Sequence, residues 1–264
     1  NNLAVCLDSQ KKFQEAEKLY TESLNGMSKK LGETHPDTLT SMDNLATCFA
    51  DQGKLTAAET LLRRSLHGAR QRFGTQHLAT FDVMDDLAKI LLQQFTQQSL
   101  LSVDDNIEEE QAATAHRSER HRLIAEAQQL YYSTLTGRRD LLGDRNLDTV
   151  DSMMNLAKVL ILQHNIDPAE RLYKEAISET RKIYGNRHIA VWEIHDQLAS
   201  ALEDQGYVLR AQRLYRHALA GRRETLGNTH PDTLQNVNDL ALLLIDQECF
   251  KQAEQVYQLA LAHA

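Results

Sequence analysis

Residues that interrupt helices are scarce in this chain: 264 positions hold only 11 glycines and 3 prolines. Gly and Pro are the strongest local breakers, so their scarcity favours helices. Cysteine is equally sparse. Three thiols, an odd number, do not make a disulfide scaffold; they suggest a reducing compartment and an expected cytoplasmic location. Positive charge is not in excess. The formal net charge is −8, so a general nucleic-acid role has no electrostatic footing. Apolar runs such as Val159 to Leu162 are far too short to span a bilayer, so no membrane partner is expected.

The signatures of catalysis and metal binding are missing as well. Among 11 histidines no pair has the H-E-x-x-H spacing, and no cysteine pair has zinc-finger spacing. His116 and His121 stand five apart, which is too weak a pattern for a metal site. There is no Gly-rich phosphate loop and no G-x-S-x-G elbow. No catalytic residue, metal or cofactor is expected, and the chain does not read as an enzyme.

What the chain does contain is a repeat. The string THPDTL occurs at Thr34 to Leu39 and again at Thr229 to Leu234. A motif ending in Leu-Ala occurs six times, with its leucine at Leu3, Leu45, Leu87, Leu156, Leu198 and Leu240. Successive leucines are 42 residues apart, except for one step of 69, which is 27 longer. Thirteen residues after each leucine, or 40 after Leu87 where the 27 additional residues intervene, stands an alanine (Ala16, Ala58, Ala127, Ala169, Ala211, Ala253). Four further on comes Tyr20, Leu62, Tyr131, Tyr173, Tyr215 or Tyr257. A fixed period of this kind decides the architecture.

Each unit reads as two helices. The first opens at HPDT, where Pro36 or Pro231 suits the first helical position and Asp37 or Asp232 suits the positive end of the helix dipole. The second carries the Ala and Tyr on one face, the alanine allowing close approach. A Leu-Gly such as Leu31-Gly32 or Leu226-Gly227 supplies a left-handed cap. The expected units are 1–34, 35–76, 77–145, 146–187, 188–229 and 230–264 in a single array over 1–264. The chain starts inside a first helix and ends near LALAHA, so it reads as part of a longer protein.

The 27 additional residues fall near Phe95 to His121, at the turn between the third pair of helices. One reading is a lengthened hairpin with its turn at Ser102 to Asn106 and a second helix from Asn106 or Ile107 to Leu142; a disordered loop is the competing one. His35, His77, His188 and His230 share one repeat position, which makes them structural rather than converging ligands. His195 stands where Met42, Met84 and Met153 stand, and Trp192 aligns with Leu39 and Phe81; both read as packing residues. Cys6 and Cys48 are one repeat apart, too far for a disulfide.

Leu-Ala in the first helix and Ala-x-x-x-Tyr in the second resemble tetratricopeptide repeats. The period of 42, HPDTL, NLA, Gln52-Gly53, Gln205-Gly206 and the AExLY of Ala16 to Tyr20 resemble those of the kinesin light chain type. The resemblance implies an all-α right-handed superhelical solenoid of six helix pairs, the first truncated. It also implies a concave groove lined by first helices that takes a partner peptide, and a coiled-coil arm for a motor chain. No sustained heptad pattern occurs in these residues, so motor attachment is not supported.

On a helical wheel the positions opposite the packed stripe name the groove. They include Asn2, Asp43, Asn44, Asp85, Asp86, Lys89, Asn155, Lys158, Asp196, Gln197, Asn238 and Asp239. With Asp82, Asp151 and Glu193 this face has eight acids against two lysines. An Asn can pair with both groups of an extended peptide unit, and the resemblance implies that role for Asn44 and Asn155. Asp86, Gln197 and Asp239 replace that Asn in three units, and the acidic face is expected to prefer a basic partner. Kinesin light chain grooves, by contrast, take acidic, aromatic-bearing peptides. The expected function is a non-enzymatic module that binds a protein or peptide. The alternative is a structural scaffold or spacer acting through the insertion or the convex face.

Overall fold

The computed structural model describes residues 2–101 and 110–261. These form twelve α-helices and no strand. The helices group into two compact units, Asn1–Leu141 and Leu142–Ala264. The first unit contains α1 (Asn2–Ser9), α2 (Phe13–Leu31), α3 (Pro36–Asp51), α4 (Leu55–Phe73), α5 (Leu78–Leu101) and α6, which runs Glu110–Leu142. The second contains α7 (Leu147–Leu162), α8 (Ile166–Tyr184), α9 (Ile189–Asp204), α10 (Val208–Leu226), α11 (Pro231–Asp246) and α12 (Phe250–Leu261). Odd-numbered helices are the first members of pairs. Within each unit a helix packs on its neighbours in sequence, and α3 also meets α5 as α7 meets α9.

The repeated HPDT is a helix start with an unusual cap. His35 and His230 accept the backbone N–H two residues on through Nδ1, at 3.2 Å in both cases. His77 and His188 do the same at 3.1 and 3.3 Å, and Asn146 takes their place before α7 at 2.8 Å. Each satisfies one of the orphan donors of a helix N-terminus. The shared histidine position is therefore structural, as its periodicity implies.

At the other end the structure corrects a detail. Gly32, Gly74, Gly185 and Gly227 have φ of 88° to 92° but ψ of 164° to 176°. This is not the left-handed helical conformation expected of them. The chain leaves in an extended geometry that is almost confined to glycine, while each glycine N–H still bonds the carbonyl four residues back.

The core follows the repeat. All six alanines of the second helices are 0–3% exposed, and Trp192, Phe81 and Leu39 are buried as their shared register requires. Tyr20, Leu62, Tyr131, Tyr173 and Tyr215 are buried behind them. Cys6, Cys48 and Cys249 are free thiols.

The third pair is the long one. First helices α3, α7, α9 and α11 have 16 residues and second helices α2, α4, α8 and α10 have 19; α5 has 24 and α6 has 33. At 1.5 Å per residue α6 is roughly 50 Å long. Arg120 of α6 lies 4.9 Å from the Phe95 ring of α5, so the two helices are in contact within the insertion. The expected helix start at Asn106 or Ile107 and the turn at Ser102 to Asn106 lie outside the described residues.

Candidate binding faces on the first helices

In unit 1 the expected face is built by α3 and α5, with Asn2 exposed on α1. Its acids are less free than a helical wheel suggests. The Ser65 hydroxyl of α4 donates to Asp43 at 2.6 Å. Arg138 of α6 reaches back to α5 and donates to Asp85 at 2.6 Å and to Asp82 at 2.7 Å. The Arg138 side chain is only 7% exposed while that of Asp82 is 66% exposed, so a buried cation anchors a surface acid. Burial pushes Asp43 up to about 6, against the Ser65 hydrogen bond, with Asp86 and Asp82 adding like-charge repulsion. Burial likewise pushes Asp85 up to about 6 despite Arg138. Asp86 is raised by burial, opposed by Lys89. Asn44 is half-buried, and Lys89 is exposed.

In unit 2 the equivalent face lies on α7, α9 and α11. Asp196 pairs with Arg222 of α10 and accepts the Asn236 amide of α11 at 2.8 Å. Burial pushes it up to about 6, with Arg222 pulling the other way. Asn238 accepts the Tyr257 hydroxyl at 3.1 Å, and Asp239 accepts the Gln235 amide at 2.7 Å. Between α7 and α9 opens a cleft of about 460 Å³. Lys158, Asp196, Gln197, Ser200, Asp204 and Gln205 provide its polar lining, and Ile161, Leu162 and Ala201 its apolar lining. Lys158 is half-buried and has no ion pair among the described residues. Burial lowers its pKa, and Asp151 opposes that shift. Asn155 is half-buried one turn before it.

The structure thus gathers Lys158, Asp196 and Gln197 in one cleft, and Asp43, Asp85 and Asp86 on one electrostatically coupled face. Sequence reading missed the groups that hold these acids: Ser65, Arg138, Arg222 and Asn236. Arg138 and Arg222 occupy the same repeat position in their second helices, so the register itself carried the signal. Among the described residues no cluster of His, Cys, Asp and Glu is arranged to hold a metal ion, and no helix is long and apolar enough to cross a membrane.

Stacked helix pairs whose first helices carry the polar face define a helical-repeat scaffold. The sequence matches family models described as tetratricopeptide repeat over residues 1–71 and 189–264, and again over 149–190. The chain belongs to the tetratricopeptide repeat family, whose members generally mediate protein–protein interactions and are typically not enzymes. No curated protein matches the sequence. Among solved structures the fold is similar to the nearly identical TPR-like repeats of a candidate kinesin light chain from Podosopora anserina, with TM-score 0.67, 18% identity, and 85% of this chain and 94% of that one covered. BtubC (BKLC) from P. vanneervenii gives 0.64, at 18% identity over 95% of this chain and 90% of the other. Human IFIT1 in complex with PPP-AAAA gives 0.56, at 16% identity, over 98% of this chain and 53% of its own. At these identities the likeness concerns the fold alone.

Proposed function

We propose that this chain is a non-enzymatic adaptor module whose first-helix faces hold an extended segment of a partner protein. The observation that carries the reading is the α7–α9 cleft, where Lys158, Asp196, Gln197 and Ser200 surround an apolar lining of Ile161, Leu162 and Ala201. Gln197 offers both a donor and an acceptor to a peptide unit, Lys158 and Ser200 offer donors, and the apolar residues accept a side chain. In this reading Asn155 and, in unit 1, Asn44 do the same for backbone groups.

The α3–α5 face is proposed to prefer Lys or Arg side chains. After Arg138 and Lys89 are counted, Asp43, Asp82, Asp85 and Asp86 still leave an excess of negative charge. Each exposed pair contributes only about 0–1 kcal/mol, so the preference is summed over several pairs and weakens with salt. The test is a titration of matched basic and acidic peptide libraries at two salt concentrations, with Asn44→Ala, Asn155→Ala and Gln197→Ala in parallel. Tighter, salt-sensitive binding of basic peptides that the three variants reduce would support the reading. Undiminished binding by the variants would favour a scaffold acting through the insertion or the convex face. A preference for acidic peptides would overturn the charge assignment.

A further inference from the structure

Unit 2 carries a second cleft, of about 560 Å³, away from the first-helix face. Lys174, Ser178, Arg181 and Lys182 of α8, His195 of α9 and His217 of α10 line it. Asn186, in the turn after α8, adds an amide, and no carboxylate is in the lining. Two acids pair with lining cations from outside the cleft: Glu170 lies 3.6 Å from Lys174 and 3.0 Å from Arg210, and Glu179 pairs with Lys182. Arg181 forms no ion pair among the described residues, and its Nε is buried without a hydrogen-bond partner. Lys174 and Lys182 thus have carboxylate partners outside the lining, and Arg181 is the lining cation that has none among the described residues.

His195 is the second and independent observation. It occupies the register of Met42, Met84 and Met153, each a fully apolar core position. A polar group at such a position is a conflict between local chemistry and packing, of the kind that marks functional sites. The His195 side chain is 6% exposed, and its Nδ1 lies 2.7 Å from the Val191 carbonyl. A carbonyl only accepts, so Nδ1 carries the proton and Nε2 lines the cleft as an acceptor, which can take an N–H of a bound residue but not an oxygen of an anion. His217 lies 4.8 Å from His195, ring to ring, and Trp192 lies 5.7 Å and 5.8 Å from the two imidazoles. Burial first, then His217, Arg181 and Arg222, push His195 down to about 4, against the Val191 hydrogen bond.

We propose that this cleft is a phosphate-recognition site that takes a phosphoserine or phosphothreonine segment of a partner protein. A phosphate monoester brings close to two negative charges and three acceptor oxygens, the complement of Arg181, His217, Ser178 and Asn186. The cleft is larger than the phosphate alone, which leaves room for the residue that carries it. A polypeptide fits better than a nucleic acid, because the many phosphates of a nucleic acid would all meet a chain of net charge −8. The site is independent of the first-helix faces.

The test titrates the 264-residue chain with a degenerate phosphoserine/phosphothreonine peptide library and with the same library unphosphorylated. Inorganic phosphate serves as competitor and a single-stranded RNA oligonucleotide as a separate arm. The phosphorylated library is expected to bind roughly ten-fold or more tighter, as charge-assisted hydrogen bonds allow, and to be displaced by phosphate. Arg181→Gln and His217→Gln should abolish that advantage. His195→Met restores the residue of the equivalent repeats, so it should keep the fold and leave the phosphate-dependent advantage in place, because a neutral Nε2 only accepts and gives nothing to a phosphate oxygen; His217→Gln decides the matter if Arg181→Gln fails to fold. Equal binding of both libraries, RNA binding as tight as the phosphopeptides, or an undiminished phosphate-dependent advantage in Arg181→Gln and His217→Gln would overturn the proposal.

Discussion

A Cβ built on Gly221 would fall 2.3 Å from the Trp192 ring. Gly137 stands in the same relation to Phe81 at 2.0 Å, and Gly68 to Leu39 at 2.7 Å. The large residue of a first helix thus sits in a socket that only glycine leaves open on the second. At α7 the corresponding residue is the smaller Val150, and α8 carries Glu179 where the others have glycine. Gly221→Ala should therefore cost about 1–3 kcal/mol through overpacking, although alanine is the better helix former. Gly26 has nothing within 4 Å, so Gly26→Ala should instead stabilise by about 0.5–1 kcal/mol. Urea denaturation of both variants measures the contrast, and shifts of the same sign would refute the socket.

Much of this fold was legible because a period of 42 places the same chemistry at the same height in every unit. The N-caps, the buried alanines and the Trp192 register all follow from it. The partners of the first-helix acids escaped the sequence reading because a helical wheel considers one helix, while those partners lie on the next. Asp196 and Arg222 are 26 residues apart, and Asp85 and Arg138 are 53 apart. With the insertion of 27 removed the two separations agree, so the pairing was present in the register but hidden by the longer hairpin. The meeting of His195 with His217 was not legible. It depends on how side chains of α9 and α10 settle around Trp192, which no spacing rule specifies.

Arg138 is nearly buried beneath two carboxylates, so its loss should be costly. Arg138→Met keeps the apolar stem and leaves Asp85 and Asp82 without their cation. Breaking a buried pair from one side costs about 3–5 kcal/mol, less here because Asp82 can return to water. Adding Asp85→Asn should restore a large part of the loss. A double-mutant cycle by thermal denaturation measures the coupling, and strict additivity would mean that the pair contributes nothing specific.

Lys11, His164 and Glu248 hold φ near 60° in the turn where Gly53 and Gly206 hold 74° and 78°. The five positions are equivalent in the repeat, so three units place a side chain in a conformation that glycine adopts more readily. The left-handed region costs an ordinary residue about 1–2 kcal/mol, partly offset by the extra entropy glycine loses on folding. Glu248→Gly and His164→Gly are each expected to stabilise by up to about 1 kcal/mol, while Gly206→Ala should destabilise. Melting temperatures of the three variants check this, and a lower value for both glycine variants would count against it.

Asp43 offers a pH-dependent test of the first-helix face of unit 1. Its folded pKa of about 6 lies above its ordinary value of 3.8, chiefly through burial. Between those values the folded state keeps a proton that the unfolded chain has released. The stabilisation from that proton is complete at the acid end of the window and is lost as pH rises through about 6. Asp43→Asn cannot ionise, so its stability relative to the parent should improve from pH 4 to pH 7.5, by about 1–3 kcal/mol. His195 titrates in the opposite sense but is present in both proteins, so it cancels from the difference. Ser65→Ala removes the hydroxyl that holds the Asp43 carboxylate down, and should move the titration to still higher pH. Urea denaturation across the pH series, with carboxyl chemical shifts followed by NMR, reports both quantities. A stability difference that stays flat with pH would mean that Asp43 is an ordinary solvated acid.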